Sequence, residues 1–342
     1  MPFALSELEH PIVQAPMAGG PSTPALAAAV SEAGGLGFLA AGYKAGDAVR
    51  ADVEAVRAAT GKPFGINLFA PPQPVPDALA VGRYARALAK HYGQSGTPRH
   101  DDDGWEEKLA LVAELRVPVV SVTFGCPDGS VVERLHAAGI AVWATVTAPG
   151  EARTAEAAGV DALVVQGVEA GGHRATFDDT APVDLGLLAA LQLVRAVTAL
   201  PLVATGGLAT GSSVAAVLAA GAAAAQLGTA FMLAPESGTT PAHREAIAVD
   251  DETGLTRAFT GRTARGIVNR FQREHTDGAP LGYPDVHHVT APLRAAARER
   301  GDADGFHLWA GQAHALAEPL PAAELVRRLA AEARAVLHNA AG

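Results

Sequence analysis

The sequence predicts an α/β fold, a (β/α)₈ TIM barrel, on three observations. Short runs of β-branched and apolar residues alternate with alanine-rich amphipathic stretches, eight such runs occur, and Gly or Pro stands at most junctions. A further regularity supports the same reading: Ala-Ala-Gly followed by an apolar run recurs at 137–142, 157–164 and 219–225, where a helix stops at glycine and a buried parallel strand begins.

Strands are expected at Pro11–Met17, Gly35–Ala40, Phe64–Phe69, Val117–Phe124, Ile140–Val146, Ala162–Gln166, Leu202–Thr205 and Ala224–Leu227. Between them, amphipathic spacing predicts helices over Pro24–Ala33 with Thr23 as cap, Asp47–Ala59, Trp105–Leu115 and Ser130–Ala138. Pro149–Ala158, Asp184–Ala199 and Gly211–Ala220 complete the series. Two segments break the rhythm. Residues 70–103 carry Pro71, Pro72, Pro74 and Pro76, a polar helix-like piece and the acidic run Asp101–Asp103, and read as an insertion after the third strand. Residues 234–342 exceed one final barrel helix. The expected organisation is a barrel core over 1–233 and a helical extension over 234–342 that completes the barrel and its pocket.

Hydrophobic residues make up 49% of the 342 and charged residues 18%, enough apolar material for a large core. A formal net charge of −10 with no Lys/Arg run excludes attraction to nucleic acid or anionic lipid, so a small-molecule partner is expected. A homodimer is compatible with the chain. The lone Cys126 forbids an internal disulfide and fits a reducing, cytoplasmic location. The N-terminus lacks a secretory pattern, and the apolar stretch Leu218–Ala225, interrupted by Gly221, is far short of the roughly 20 residues a membrane span needs.

In a barrel, the loops that follow the strands gather at one face. Ala15, Pro16, Met17 and Ala18 fall after the first strand, Asn67 in the third, and Gln166 through Gly171 and Gly172 to His173 after the sixth. Gly206 and Gly207 end the seventh, and Gln226, Leu227, Gly228 and Thr229 the eighth. Glycines in the last two positions let backbone N–H groups approach phosphate oxygens. No Gly-x-Gly-x-x-Gly run opens a helix, so a dinucleotide on a Rossmann unit is disfavoured and the compact phosphate of FMN suits the site better. His173, after two glycines and before Arg174, is the reactive candidate, either as proton acceptor or, as imidazolium, as holder of an anionic substrate. His287 and His288 have no ligand set at metal spacing beyond Asp285, so no metal is expected, and Cys126 has no activating partner.

These segments resemble the nitronate monooxygenases, formerly nitropropane dioxygenases, over nearly the whole chain. The run from Gln14 through Ala-Pro-Met-Ala-Gly-Gly to Gly37, Gly65-Ile-Asn-Leu-Phe69, Ser121-Val-Thr-Phe-Gly125 and Val165-Gln-Gly-Val-Glu-Ala-Gly-Gly-His173 carry the likeness. So do Phe259-Thr-Gly-Arg-Thr-Ala-Arg-Gly266 and Leu308-Trp-Ala-Gly-Gln312. The resemblance implies FMN without obligatory NAD(P)H, with Gln14 to Ala18, Asn67, Gln166 and Gly171 near the flavin and Gly206, Gly207 and Gln226 to Thr229 at its phosphate. It makes His173 the active-site histidine and implies oxidation of nitronates such as propionate 3-nitronate by dioxygen, giving a carbonyl compound and nitrite or nitrate. Ala175 and His287 or His288 depart from the family's usual Gly and Asn, which bears on substrate choice, and Tyr283 is the candidate pocket residue from the tail. The alternative is an FMN-dependent NAD(P)H reductase of quinones or enoyl thioesters, whose Glu-Ala-Gly-Gly-His pattern is similar.

Overall fold

In the computed structural model, which describes residues 2–249 and 251–341, eight parallel strands form the barrel. They are β1 (Ile12–Gln14), β2 (Phe38–Ala40), β3 (Gly65–Phe69), β4 (Val119–Thr123), β5 (Ala141–Val146), β6 (Ala162–Gln166), β8 (Leu202–Thr205) and β9 (Ala224–Leu227). Their order, β1-β9-β8-β6-β5-β4-β3-β2, is that of a (β/α)₈ barrel, and it closes where Gln14 N donates to Leu36 O at 2.9 Å and Leu36 N to Ile12 O at 3.0 Å. The strands are shorter than expected at the first two positions. Pro16 lacks the N–H that a continued ladder requires, and the second strand begins only once Gly37 has passed helix α1 (Pro24–Glu32).

Alternation along each strand separates two cores. In β6, Ala162 and Val164 face the barrel interior with Val13, Phe38, Val119 and Trp143, while Leu163 and Val165 face the helical shell. Phe3, Leu5 and Leu8 plug the interior at the N-terminal ends of the strands. A ligand must therefore bind at the opposite end.

The shell is α1, α2 (Gly46–Ala59), α4 (Trp105–Leu115), α5 (Gly129–Ala137), α6 (Pro149–Ala157), α7 (Leu187–Arg195), α8 (Gly211–Ala219) and α12 (Ala322–Ala341). Thr23 caps α1, accepting from Leu26 N at 3.0 Å while its hydroxyl donates to Glu236 O at 2.6 Å. The sixth shell helix, α7, is shorter than the expected Asp184–Ala199. Residues before it run extended because the Glu169 carboxylate takes Leu187 N at 3.0 Å and Asp184 turns to Arg174 at 3.6 Å. The eighth helix, α12, arrives from the far end of the chain: Ala322, Leu325, Val326, Leu329, Ala330 and Ala333 are buried, and the helix packs on α8 and α1. Its Glu332 accepts Gly211 N at 3.1 Å, capping α8.

Residues between β9 and α12 build a roof over the barrel mouth. It contains α9 (Pro241–Ile247), α10 (Arg270–His275) and α11 (Asp285–Glu299), and also two strands that the sequence reading missed, β10 (Thr253–Thr256) and β11 (Ala264–Ile267). The latter pairs with β7 (Gly172–His173), so the roof is stitched to the loop bearing the histidine: Ala264 lies opposite His173 and Arg265 opposite Gly172. The insertion supplies α3 (Ala78–Tyr92), whose Val81, Tyr84 and Leu88 pack with Phe259, Val286, Val289 and Leu293 of the roof. Tyr84 Oη donates to Ala258 O at 2.8 Å. Among the described residues no helix is long and apolar enough to cross a membrane.

At Gly37 a Cβ would stand 2.0 Å from Ala27 O of α1. Gly37→Ala should therefore cost about 3 kcal/mol of stability through overpacking. A melting temperature unchanged by this substitution would contradict the tight α1–β2 contact.

Candidate active site

At the C-terminal ends of the strands lies a cavity of 410 Å³, the size of small-molecule and cofactor sites. Ala15, Pro16, Met17 and Ala18 line it from the first loop, and Asn67 from β3. Gln166, Gly171 and His173 border it from the sixth unit, and Gly206, Gly207, Gln226, Leu227, Gly228 and Thr229 from the last two. Tyr283 does not line this cavity. It borders an adjoining cleft of 430 Å³ and reaches the site through its ring, 5.9 Å edge-on from His173.

The floor near β8 and β9 is made of backbone. Gly206 and Gly207 have φ of 124° and 67°, which a side chain would resist, and among the described residues the amides of Gly206, Gly207 and Gly228 donate to no protein acceptor. Three N–H groups without protein partners, on residues that line the cavity, are donors available to an anionic ligand there.

Side chains around the floor divide into those free to meet a ligand and those already engaged. The oxygen of Asn67 accepts from Ser121 Oγ at 2.9 Å and Thr123 Oγ1 at 2.8 Å, which leaves its Nδ2 donor for the cavity. Gln166 is engaged: its Nε2 donates to His173 O at 3.1 Å, and its Oε1 accepts from Arg174 at 3.0 Å and Ala175 N at 2.9 Å. Gln14 is fully buried and turns away from the cavity, holding Phe38 N at 2.9 Å and Ser22 at 3.0 Å. Ala175 is likewise buried behind the wall, so it does not contact a ligand there.

His173 is held by the Gln166 clamp and by three aromatic rings, Phe124, Tyr283 and Trp309, at 5.5, 5.9 and 5.5 Å. Phe124, at the end of β4, sits at φ 78°, a strained conformation for an aromatic residue that carries its ring against the imidazole. Thr260 donates its hydroxyl to Arg262 O at 3.2 Å and so accepts from His173 Nε2 at 2.9 Å. That arrangement assigns the neutral Nε2–H tautomer and leaves Nδ1 as an acceptor. Burial, then Arg262 and Arg294, push the His173 pKa down to about 3. The imidazolium option is thus opposed by the surroundings.

Arg174, the neighbour in sequence, is not a ligand contact: only 1% exposed, it donates to Gly167 O at 2.8 Å and Gln166 Oε1 at 3.0 Å. The positive charge at the cavity comes instead from α11, whose His287, Ala291, Arg294 and Arg298 line the wall. His287 stacks on Tyr43 at 4.2 Å, and His307 on Trp309 at 4.8 Å. Cys126 is half-buried and its thiol is pushed up to about 11 by burial, so it stays protonated.

Residues 3–332 match the nitronate monooxygenase family. The chain belongs to that family. It is 43% identical over 341 residues to the nitronate monooxygenase of Pseudomonas aeruginosa, covering 96% of this chain and 97% of that protein. Its fold superposes with a TM-score of 0.94 on the nitroalkane oxidase from Streptomyces ansochromogenes, 51% identical over 99% of both chains. FabK from Thermotoga maritima is more distant, with a TM-score of 0.77 and 28% identity over 99% of this chain and 97% of that one. The chain is an enzyme, and family membership makes it a flavin-dependent oxidoreductase.

Sequence reasoning missed Tyr43, Phe124, Thr260, Arg294, Arg298 and His307 at this family site. The resemblance covered Phe124 and Thr260 without singling them out. Arg294 and Arg298 carry a usable signal, because with His287 and Ala291 they fall on one face of a helix.

Four histidines here are held neutral by burial: His173 at about 3, His243 at about 4, His287 at about 2, and His307 well below its usual value. As the pH falls below the ordinary 6.5, the unfolded chain takes up protons that the folded chain refuses, so stability drops with falling pH, by at most about 1.4 kcal/mol per unit for each histidine. The melting temperature of the purified protein should fall steeply between pH 6.5 and 4, and less steeply in His173→Asn. A flat profile would show that these rings are solvated.

Proposed function

We propose that the protein oxidises alkyl nitronates of the propionate 3-nitronate type with FMN and dioxygen, in the cytoplasm, giving a carbonyl compound and nitrite or nitrate. The observation that carries this reading is one cavity holding both a cradle of unpartnered amides and a neutral histidine among arginines. The amides of Gly206, Gly207 and Gly228 suit the phosphate of FMN, since they supply donors and add no side chain in its way. Asn67 Nδ2 offers a fixed donor to the flavin ring, with Met17 and Ala15 to Ala18 along the same wall. FMN, when bound, supplies the electron sink and passes the electrons to dioxygen.

The remaining work falls to the protein. A neutral nitroalkane must lose a proton from carbon, and a histidine held at about 3 is a weak base at neutral pH. A nitronate arrives already deprotonated, so the site needs only to bind and orient the anion. His173 contributes an uncharged imidazole edge beside the reacting carbon, held in one orientation by Gln166 and Thr260. The roof of α3 and α11 keeps bulk water from this surface.

Oxygen uptake by the flavin-loaded protein should require propyl nitronate and not be supported by neutral nitropropane on the same time scale. In His173→Asn the nitronate rate should fall by roughly tenfold or more. Rapid anaerobic bleaching of the flavin by NADH, without nitronate-dependent oxygen uptake, would instead establish the NAD(P)H reductase reading.

Asn67→Asp keeps the acceptor facing Ser121 and Thr123 but turns the cavity donor into an acceptor. FMN affinity of the deflavinated variant should drop roughly tenfold, read by fluorescence quenching on titration. Undiminished affinity would remove Asn67 from the flavin site.

A further inference from the structure

We propose that Tyr43 is the partition that sets how long an alkyl tail the active site accepts. This rests on the nitronate reading above and extends it to the part of the substrate that does not react. Two spaces meet at this ring: the cavity of 410 Å³ that His173 borders, and the adjoining cleft of 430 Å³ bordered by the insertion. Among the described residues only Tyr43, Phe69 and His287 line both. Phe69 ends β3 and is 8% exposed, and His287 belongs to α11, whereas Tyr43 sits on the loop after β2 and is 37% exposed. It is the one divider whose side chain can be cut back without opening the barrel core or the roof helix.

From the reacting histidine an aromatic wall leads to this partition. Between ring centres, Phe124 stands 5.5 Å from His173, Phe69 4.6 Å from Phe124, and Tyr43 5.4 Å from Phe69. Tyr283 runs alongside, 5.4 Å from Phe124, and its hydroxyl donates to Tyr43 Oη at 3.4 Å. Rings in this sequence offer an alkyl chain apolar surface along its length. The Tyr43 hydroxyl, pushed up to about 12 by burial, stays protonated, so the end of the wall is uncharged.

The partition is held from two sides. Tyr43 has a φ of 65°, a left-handed backbone that a bulky residue adopts at a cost. Asp103 of the insertion offsets it: its Oδ1 accepts Tyr43 N at 2.9 Å, while its Oδ2 pairs with buried Lys108 at 2.7 Å. On the other side the ring lies flat on His287, 4.2 Å between centres with planes 6° apart. A tail that reaches this ring stops there, because moving it breaks the stack and disturbs the strained loop. Behind it the cleft is bordered by Ala45, Ala70 and Pro72, and its Arg99, Asp101, Asp103 and Lys108 are paired with one another, so a tail let through meets apolar surface.

The test compares the flavin-loaded wild type with Tyr43→Ala and Tyr43→Phe, each checked by melting curve and flavin content. The ratio of kcat/KM for octyl nitronate to that for propyl nitronate should rise at least roughly tenfold in Tyr43→Ala, mainly through a lower KM for the longer chain, since each buried methylene is worth roughly fourfold in affinity. In Tyr43→Phe, which keeps the ring and drops the hydroxyl, the ratio should stay within about twofold of wild type. Tyr43→Leu should give a smaller gain of the same sign, and serves where Tyr43→Ala does not fold. An unchanged ratio in Tyr43→Ala and Tyr43→Leu, or an equal gain in Tyr43→Phe, would overturn the proposal. Calorimetric binding of 1-nitrooctane relative to 1-nitropropane needs no turnover and should shift in the same direction. A shift in binding without nitronate oxidation would keep the partition and remove only the reaction, whereas oxidation with unchanged chain-length ratios would remove the partition alone.

Discussion

A backbone N–H withdrawn from water needs an acceptor, and Gly206, Gly207 and Gly228 line the cavity with none supplied to their amides by the described protein. The rest of the architecture follows from leaving that need open. Phe3, Leu5 and Leu8 close the other end of the barrel, so the strand ends are the one mouth available to a ligand. The Thr229 hydroxyl accepts Gly311 N at 3.0 Å, tying the roof to this floor, and keeps its own O–H to donate to a ligand. On the proposed function, the phosphate of FMN would supply the missing acceptor, and the wall from Met17 to His173 would hold its ring.

Around that axis the protein has arranged charge in an unusual way. The imidazole is kept neutral, and its neighbours Arg262 and Arg294 are kept cationic by their high intrinsic basicity. Arg262 is spent on the carbonyl of Arg174 at 3.1 Å and on the face of Phe124 at 4.2 Å, so it holds the histidine loop in place. Arg294 donates to the carbonyl of His287 and Arg298 lies over the face of Phe306, but neither meets a carboxylate among the described residues. Such a field favours a substrate that brings its own negative charge, in keeping with a nitronate and with a base too weak to generate one.

Much of the fold was legible because parallel barrel strands are buried on both faces and read as continuous apolar runs. Ala162–Gln166, Leu202–Thr205 and Ala224–Leu227 begin and end where the sequence places them. The glycine after each Ala-Ala pair marks real helix ends, with Gly139, Gly159 and Gly221 all at positive φ. Less legible was whatever depends on contacts between distant segments. That α12 is the eighth barrel helix, that α3 packs on the roof, and that β11 pairs with the His173 loop are decided by partners more than 80 residues away. Local pattern also could not show what the two glutamines bond: Gln14 turns from the cavity, while Gln166 borders it and at the same time bonds the backbone that shapes the site. The arginines of α11 share one helix face, which spacing can show, but that this face borders the cavity is decided by how the roof packs.

The proposed function requires that this mouth grip a phosphate and thereby position a flavin ring. It is tested most directly by titrating the deflavinated protein with FMN and, in parallel, with riboflavin, which shares the ring and lacks the phosphate. The account predicts that FMN binds at least roughly a hundredfold more tightly than riboflavin, with the difference reduced by high salt. Equal affinity for the two would contradict it and leave the glycine floor a structural turn.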